Sequence, residues 1–264
     1  MNSENSTSLL KAEELSISFG GLKAVDHVSF HVGEGRIVCL IGPNGAGKTT
    51  VFNLLTGLYV PTAGSIRYGE TEISGKRPQD IVRLGVARTF QNIRLFPELR
   101  VIENIMIGSH IHTDYNLLDA IFQTKRYHAQ ERERVADAMD FLRQMHFDDK
   151  MNDYAGSLPY GDMRKLEILR AMATGAKLLL LDEPAAGMNP QESQELIAFI
   201  REIRDMGHTI LLIEHDMKVV MNIADYIYVL DHGKLIAQGL PGEIKENPLV
   251  IQAYLGGQGH AAEH

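Results

Sequence analysis

Arg36-Ile37-Val38-Cys39-Leu40-Ile41 runs directly into Gly42-Pro43-Asn44-Gly45-Ala46-Gly47-Lys48-Thr49-Thr50. The first segment is a short apolar run of the kind a buried parallel strand needs. The second matches G-x-x-x-x-G-K-[ST] in full, and a helical pattern continues from Lys48 to about Thr56. Glycines at these positions let backbone N–H groups turn inward around a chain of phosphates, and the helix that follows aims its N-terminus at the same anion. In such a loop Lys48 neutralises the β- and γ-phosphates and the Thr49 hydroxyl ligates Mg²⁺. At ordinary residue frequencies a chance match anywhere in a chain of this length is on the order of 1%. The loop residues Gly42 to Thr50 are therefore the expected contacts of a nucleoside triphosphate.

Further along, Leu178-Leu179-Leu180-Leu181-Asp182-Glu183 is another apolar run, ending in two carboxylates. Neighbouring side chains of a strand point in different directions. Asp182 is then expected to reach the Mg²⁺ shell, and Glu183 to polarise an attacking water as a general base. Other strand patterns lie at Leu15–Phe19, Val25–Val32, Thr209–Ile213, Tyr226–Leu230 and Lys234–Ala237. Gly20-Gly21 and Asp231-His232-Gly233 read as turns, and 190–206 as a helix. From about Asn92 to Leu158 strand signals are scarce, and Val135, Ala136, Met139, Phe141 and Leu142 are spaced broadly as one helix face. Ser109–Gln130 carries little readable pattern, and Met1–Ser8 and Gly256–His264 are expected to be frayed or mobile.

The expected fold is α/β: a P-loop NTPase core of the RecA-like kind, with an inserted α-helical subdomain and an N-terminal antiparallel β region. The core covers approximately 8–91 and 163–240, the helical subdomain approximately 92–162, and a C-terminal helix and tail 241–264. The chain of 264 residues is 44% hydrophobic and 23% charged, which excludes disordered and fibrous classes. Its formal net charge of −8 disfavours a nucleic-acid partner bound through a broad basic surface. A single cysteine, Cys39, allows no internal disulfide and reads as a small buried strand residue, consistent with a reducing compartment. No secretory signal is expected, and no apolar stretch reaches the roughly 18 residues that span a bilayer.

Four further segments stand in the order found in the ATPases of ATP-binding cassette (ABC) transporters, and the resemblance covers nearly the whole chain. Gln91, in Thr89-Phe90-Gln91-Asn92, resembles the Q-loop glutamine that contacts Mg²⁺ and the lytic water. Leu158-Pro159-Tyr160-Gly161-Asp162 takes the place of the LSGGQ signature, with Leu158 and Gly161 keeping the family residue. Ala186-Gly187-Met188-Asn189 sits where the D-loop belongs, and His215 is similar to the switch histidine that bonds the γ-phosphate. Phe19 resembles the aromatic that stacks on adenine. The resemblance implies ATP and Mg²⁺ as cofactors, with Glu183, His215 and Gln91 as catalytic residues. It also implies a dimer in which the signature of one cassette covers the ATP of the other.

Asn44–Thr50, Arg88-Thr89-Phe90-Gln91, Ala185–Pro190, Glu214-His215-Asp216-Met217 and Ala253-Tyr254-Leu255-Gly256 closely resemble the branched-chain amino-acid importer ATPases of the LivG type. That implies import powered through two membrane permease subunits, with a second ABC ATPase as homo- or heterodimer partner. An extracytoplasmic solute-binding protein enters indirectly, and the chain is placed peripherally on the cytoplasmic face of the cell membrane. ATPases of urea or other amide and amino-acid importers share many of these phrases, and a non-transport ABC ATPase is a further alternative. The signature departs from the family at three positions. Pro159 lacks the serine hydroxyl and a backbone N–H, Tyr160 replaces the first glycine, and Asp162 puts a charge where glutamine is usual. A weakened contribution of this signature to hydrolysis is therefore expected. Asn189, where many cassettes have aspartate, keeps hydrogen bonding and loses charge.

Overall fold

The computed structural model describes residues 8–110 and 125–256. The expectations for Met1 to residue 7 and for the tail beyond Gly256 lie outside the described residues, as does most of Ser109–Gln130. In chain order the strands are β1 (Ser8–Phe19), β2 (Leu22–Gly33), β3 (Ile37–Ile41), β4 (Ala63–Tyr68), β5 (Thr71–Glu72) and β6 (Val86–Arg88). They continue with β7 (Leu178–Asp182), β8 (Thr209–Ile213), β9 (Tyr226–Asp231) and β10 (Lys234–Gly239). The helices used below are α1 (Lys48–Leu55), α2 (Pro78–Leu84), α3 (Val101–Ser109), α4 (Lys125–Gln144) and α5 (Tyr160–Met172). After them come α6 (Pro190–Asp205), α7 (Met217–Ile223), α8 (Pro241–Glu246) and α9 (Pro248–Gly256).

The chain forms two compact units, Met1–Gln91 with Lys177–His264, and Asn92–Ala176. The first unit holds both sheets. An antiparallel sheet runs in the order β2-β1-β4-β5 and a six-stranded sheet in the order β10-β9-β3-β8-β7-β6. In the larger sheet β9, β3, β8, β7 and β6 are parallel to their neighbours, and only β10 runs against β9. All five residues of β3, β7 and β8 are buried, as parallel strands covered on both faces require, and this is why they read as unbroken apolar runs. Cys39 lies there with no exposed surface, and burial pushes its thiol pKa up.

Two hairpins show the turn chemistry the sequence signals. Phe19 pairs with Leu22 around Gly20 and Gly21, and Asp231 pairs with Lys234 around His232 and Gly233. All four loop residues have positive φ, the condition for a two-residue turn matched to strand twist. Helix α6 buries Leu196, Phe199, Ile200 and Ile203 at helical spacing. Tyr228 of β9 connects the two sheets: its hydroxyl donates to the His31 carbonyl at 3.1 Å and accepts from the His31 N–H at 3.2 Å.

The second unit is helical in its described part, apart from an isolated bridge between Arg100 and Tyr154. Asn104, fully buried on α3, accepts from the Phe96 N–H and donates to the carbonyls of Phe96 and Arg100, which fixes the chain entering that helix. On α4 the buried stripe matches the expected one in part: Leu142 is buried and Met139 and Phe141 are half-buried. Ala138 is buried as well, as is Met145 just past the helix end, while Val135 and Ala136 face solvent. Positions 138, 142 and 145 recur every three to four residues; Ala136 is turned well away from that line, whereas Val135 is in register with it and is nonetheless exposed.

Candidate nucleotide site

Because β3, β8, β7 and β6 are consecutive in the sheet, their carboxyl ends bring together segments that are far apart in sequence. The β3 end supplies the glycine loop, β8 leads to Glu214 and His215, β7 ends at Asp182, and β6 leads to Gln91. The crevice beyond the carboxyl ends of parallel strands is where open α/β sheets bind ligands. A cavity of about 550 Å³ lies there. It is lined by the loop residues Asn44–Thr50, by Gln91 and Glu183, and also by Lys23, Ala24 and His232.

The loop is held by contacts that only glycine permits at two points. A Cβ on Gly42 would sit 2.0 Å from the Leu230 carbonyl oxygen, and one on Gly47 would sit 2.5 Å from that of Ala24, both at positive φ. The hairpin turn closes on the loop through the Gly233 N–H, which donates to the Ala46 carbonyl at 3.0 Å. Lys48 is buried, and its ammonium group folds back to donate to the carbonyls of Gly42 at 2.7 Å and Pro43 at 3.0 Å. Burial lowers its pKa, and the carboxylates of Glu183 and Asp182 pull in the opposite direction. Thr49 is exposed and Thr50 half-buried on the first turn of α1.

Glu183 sits between two of the other expected residues. Gln91 donates through Nε2 to its Oε2 at 3.0 Å, and the His215 Nδ1 lies 3.7 Å from the same oxygen. Its backbone adopts φ 48°, a left-handed conformation uncommon outside glycine, and its N–H donates to the Ile213 carbonyl at 2.9 Å. The geometry therefore assembles a carboxylate flanked by an amide and an imidazole, opposite an ammonium group and a glycine loop. That set suits an anion with water beside it.

Two residues without an assigned role in the sequence reading hold this set in place. Glu214, 1% exposed, accepts hydrogen bonds from the N–H groups of Ala185 at 3.0 Å and His215 at 3.1 Å. Burial raises its carboxyl pKa, and those backbone donors, joined by that of Asp216, oppose the rise. It thereby ties the segment after Glu183 to the segment carrying His215. Arg88 donates to the Asp182 carboxylate at 2.7 Å. A charged residue at the end of an apolar strand run is the one sequence signal that marks each of them.

The remaining expected positions are placed separately. Phe19 is 45% exposed, packs edge-on to Tyr59 with ring centroids 5.1 Å apart, and is not among the residues lining the cavity. Leu158 and Gly161 belong to the helical unit. Leu158 is buried, Pro159 is the N-cap of α5, and a Cβ on Gly161 would meet open space. The Asp162 carboxylate is 3.0 Å from the Lys150 ammonium, so its charge is partly neutralised within its own unit.

A complete glycine loop between β3 and α1, with two acids at the end of the parallel strand β7 one strand removed from β3, defines a P-loop nucleotide-binding protein. The chain belongs to the ABC transporter family, whose model matches residues 25–186, and a second model, for the branched-chain amino acid ATP-binding cassette transporter, matches residues 234–260. It is 48% identical over 249 residues to the high-affinity branched-chain amino acid transport ATP-binding protein BraF of Pseudomonas aeruginosa, covering 94% of this chain and 98% of that one. It is 47% identical over the same length to the corresponding protein LivG of Escherichia coli, with the same coverage. Among solved structures, an ATP-binding cassette of an ABC transporter in its ADP conformation matches with TM-score 0.83 and 33% identity, over 94% of this chain and 99% of that one. A nucleotide-free cassette matches with TM-score 0.81 and 33% identity, over 94% and 98%. The protein is an ATP-binding, ATP-hydrolysing subunit of an ABC transport system. No helix among the described residues is long and apolar enough to cross a membrane.

Proposed function

We propose that this chain powers the import of branched-chain amino acids, hydrolysing ATP on the cytoplasmic face of the membrane to drive two permease subunits. The full-length similarity to BraF and LivG supports the solute class, and the Glu183 cluster carries the chemistry. The loop Gly42–Thr50 holds the phosphates, and Lys48 leaves the Gly42 and Pro43 carbonyls to meet the terminal phosphates. Phe19 stacks on the base once its loop draws in.

The donors near the loop fit Mg²⁺. The Thr49 hydroxyl, the Asp182 carboxylate and the Gln91 side-chain amide are hard oxygen ligands, and among the described residues no cluster of three His, Cys, Asp or Glu forms a metal cage. That matches an ion held jointly by a few protein oxygens and a nucleotide. Bound there, Mg²⁺ supplies charge neutralisation for the phosphoryl group in flight. Glu183 takes the proton of the attacking water, while Gln91 and His215 fix its carboxylate and bond the γ-phosphate. Leu158 and Gly161 serve the ATP of a second cassette, identical or similar.

The test is Glu183→Gln. Removing a general base lowers the chemical step by about 10²- to 10⁴-fold. In the assembled transporter the variant is expected to bind ATP at least as tightly as the parent while losing hydrolysis by that factor, measured by equilibrium binding and single-turnover kinetics. Hydrolysis within a few-fold of the parent's removes Glu183 from the role. The solute is tested by ATPase stimulation in proteoliposomes with leucine, isoleucine or valine, against urea.

A further inference from the structure

Arg88 ends β6 where its neighbour β7 ends in Asp182, and the two side chains form an ion pair with NH2 to Oδ2 at 2.7 Å. Both are nearly enclosed, at 7% and 6% exposure. The second terminal nitrogen of Arg88 donates to the Asn53 Oδ1 on α1, also at 2.7 Å. Its guanidinium carbon lies 5.4 Å from the centroid of Phe52 and 5.2 Å from that of Phe90. The guanidinium plane is thus fixed by two acceptors and two rings. It bridges the helix that follows the phosphate loop to the acid at the end of the neighbouring strand run. The Asp182 backbone is anchored as well, its N–H donating to the Thr89 hydroxyl at 3.4 Å.

We propose that Arg88 is a positioning residue for the Mg²⁺ of this site: it engages Oδ2 of Asp182 and holds Oδ1 toward the metal, in fixed register with Thr49 on α1. The inference rests on the reading of Asp182 as a metal ligand. A guanidinium is suited to the task because its rigid fork satisfies two acceptors at once and never loses its charge. A lysine is a single point charge on a flexible stem. It reaches Asp182 or Asn53 but not both, and it lacks the planar face that stacks between Phe52 and Phe90. With Arg88 replaced, the carboxylate is free to rotate and α1 loses its tie to β7.

The experiment uses the purified full chain and compares ATP affinity in EDTA with affinity in Mg²⁺, with Mn²⁺ and ATP as a spectroscopic probe of metal binding. Loss of a group that orients a metal ligand costs about 10- to 100-fold in metal affinity. Arg88→Lys and Arg88→Gln are expected to lose about tenfold of the metal-dependent tightening and to keep the metal-free ATP affinity. Asn53→Ala, which frees one end of the fork, shifts the same ratio in the same direction by less, and keeps the inference testable if Arg88→Gln fails to fold. An Arg88→Lys protein with the parent's metal-dependent tightening overturns it, as does one that loses metal-free affinity equally. Asp182→Asn separates the two readings. If that variant keeps the tightening, the assignment of Asp182 to the metal fails. If it abolishes the tightening while the Arg88 variants keep it, only the role of Arg88 fails.

Discussion

Gly42 shows how much a single residue of the site is constrained by backbone rather than by chemistry. Its φ of 149° and the Leu230 carbonyl 2.0 Å from where a Cβ would stand leave no room for a side chain. Strain of this kind and forced repacking each cost about 1–3 kcal/mol. Gly42→Ala is therefore expected to lower stability by roughly 3 kcal/mol, read as a shift in urea midpoint, and to weaken ATP binding with it. Gly45→Ala is the comparison: its φ is also positive but nothing lies within 4 Å of the added Cβ. Its loss is expected to be about a third as large. The glycine spacing was visible in the sequence. Which of those glycines touch a neighbouring backbone was not, because Leu230 and Ala24 arrive from distant strands.

At the scale of elements, α6 carries its own start signal. Asn189 accepts from the N–H groups of Gln191 at 2.9 Å and Glu192 at 3.0 Å, and the Glu192 carboxylate returns to the Asn189 N–H at 2.9 Å. This capping box gives the asparagine in the D-loop segment a local structural duty. Asn189→Ala is expected to cost about 1 kcal/mol in denaturant unfolding, and Asn189→Asp close to nothing, since a carboxylate caps as well and favours the helix N-terminus. The strands β3, β7 and β8 were legible for a related reason. Burial on both faces writes a continuous apolar run, and their expected bounds fall within one residue of the observed ones. β1 and β2 were read short, as Leu15–Phe19 and Val25–Val32 against Ser8–Phe19 and Leu22–Gly33. Register shifts between Ala12 and Leu15 interrupt the alternation on which that reading relied. On α4 the five apolar residues spread over more than half of the helix circumference, so spacing alone did not pick out the line through Ala138 and Leu142 that packing buries.

Across the whole first unit, Tyr228 makes stability depend on alkaline pH. Burial raises its pKa to about 12, although the His31 backbone donor and the neighbouring Tyr226 act in opposite directions on it. An unfolded tyrosine titrates near 10. Below pH 10 both states hold the proton and the contribution is fully present. Between about pH 10 and 12 the unfolded chain releases the proton first, so stability falls as pH rises. The urea midpoint is expected to decline across that window. Tyr228→Phe is expected to flatten this decline and, at pH 8, to be about 1 kcal/mol less stable because the His31 backbone groups lose their partner.

The sequence by itself determined the phosphate loop, the acid pair, the buried parallel strands and the family. Each of these is written locally, by glycine spacing, by carboxylates ending an apolar run, or by unbroken hydrophobicity. Only the tertiary structure decided that Gln91 and His215 meet on the Glu183 carboxylate, that Glu214 joins two loops and that Arg88 grips Asp182. Those contacts come from strand order in the parallel sheet, which places β6, β7 and β8 side by side although about ninety residues separate the first two. Strand order is set by how helices cover the sheet, and no local pattern encodes it.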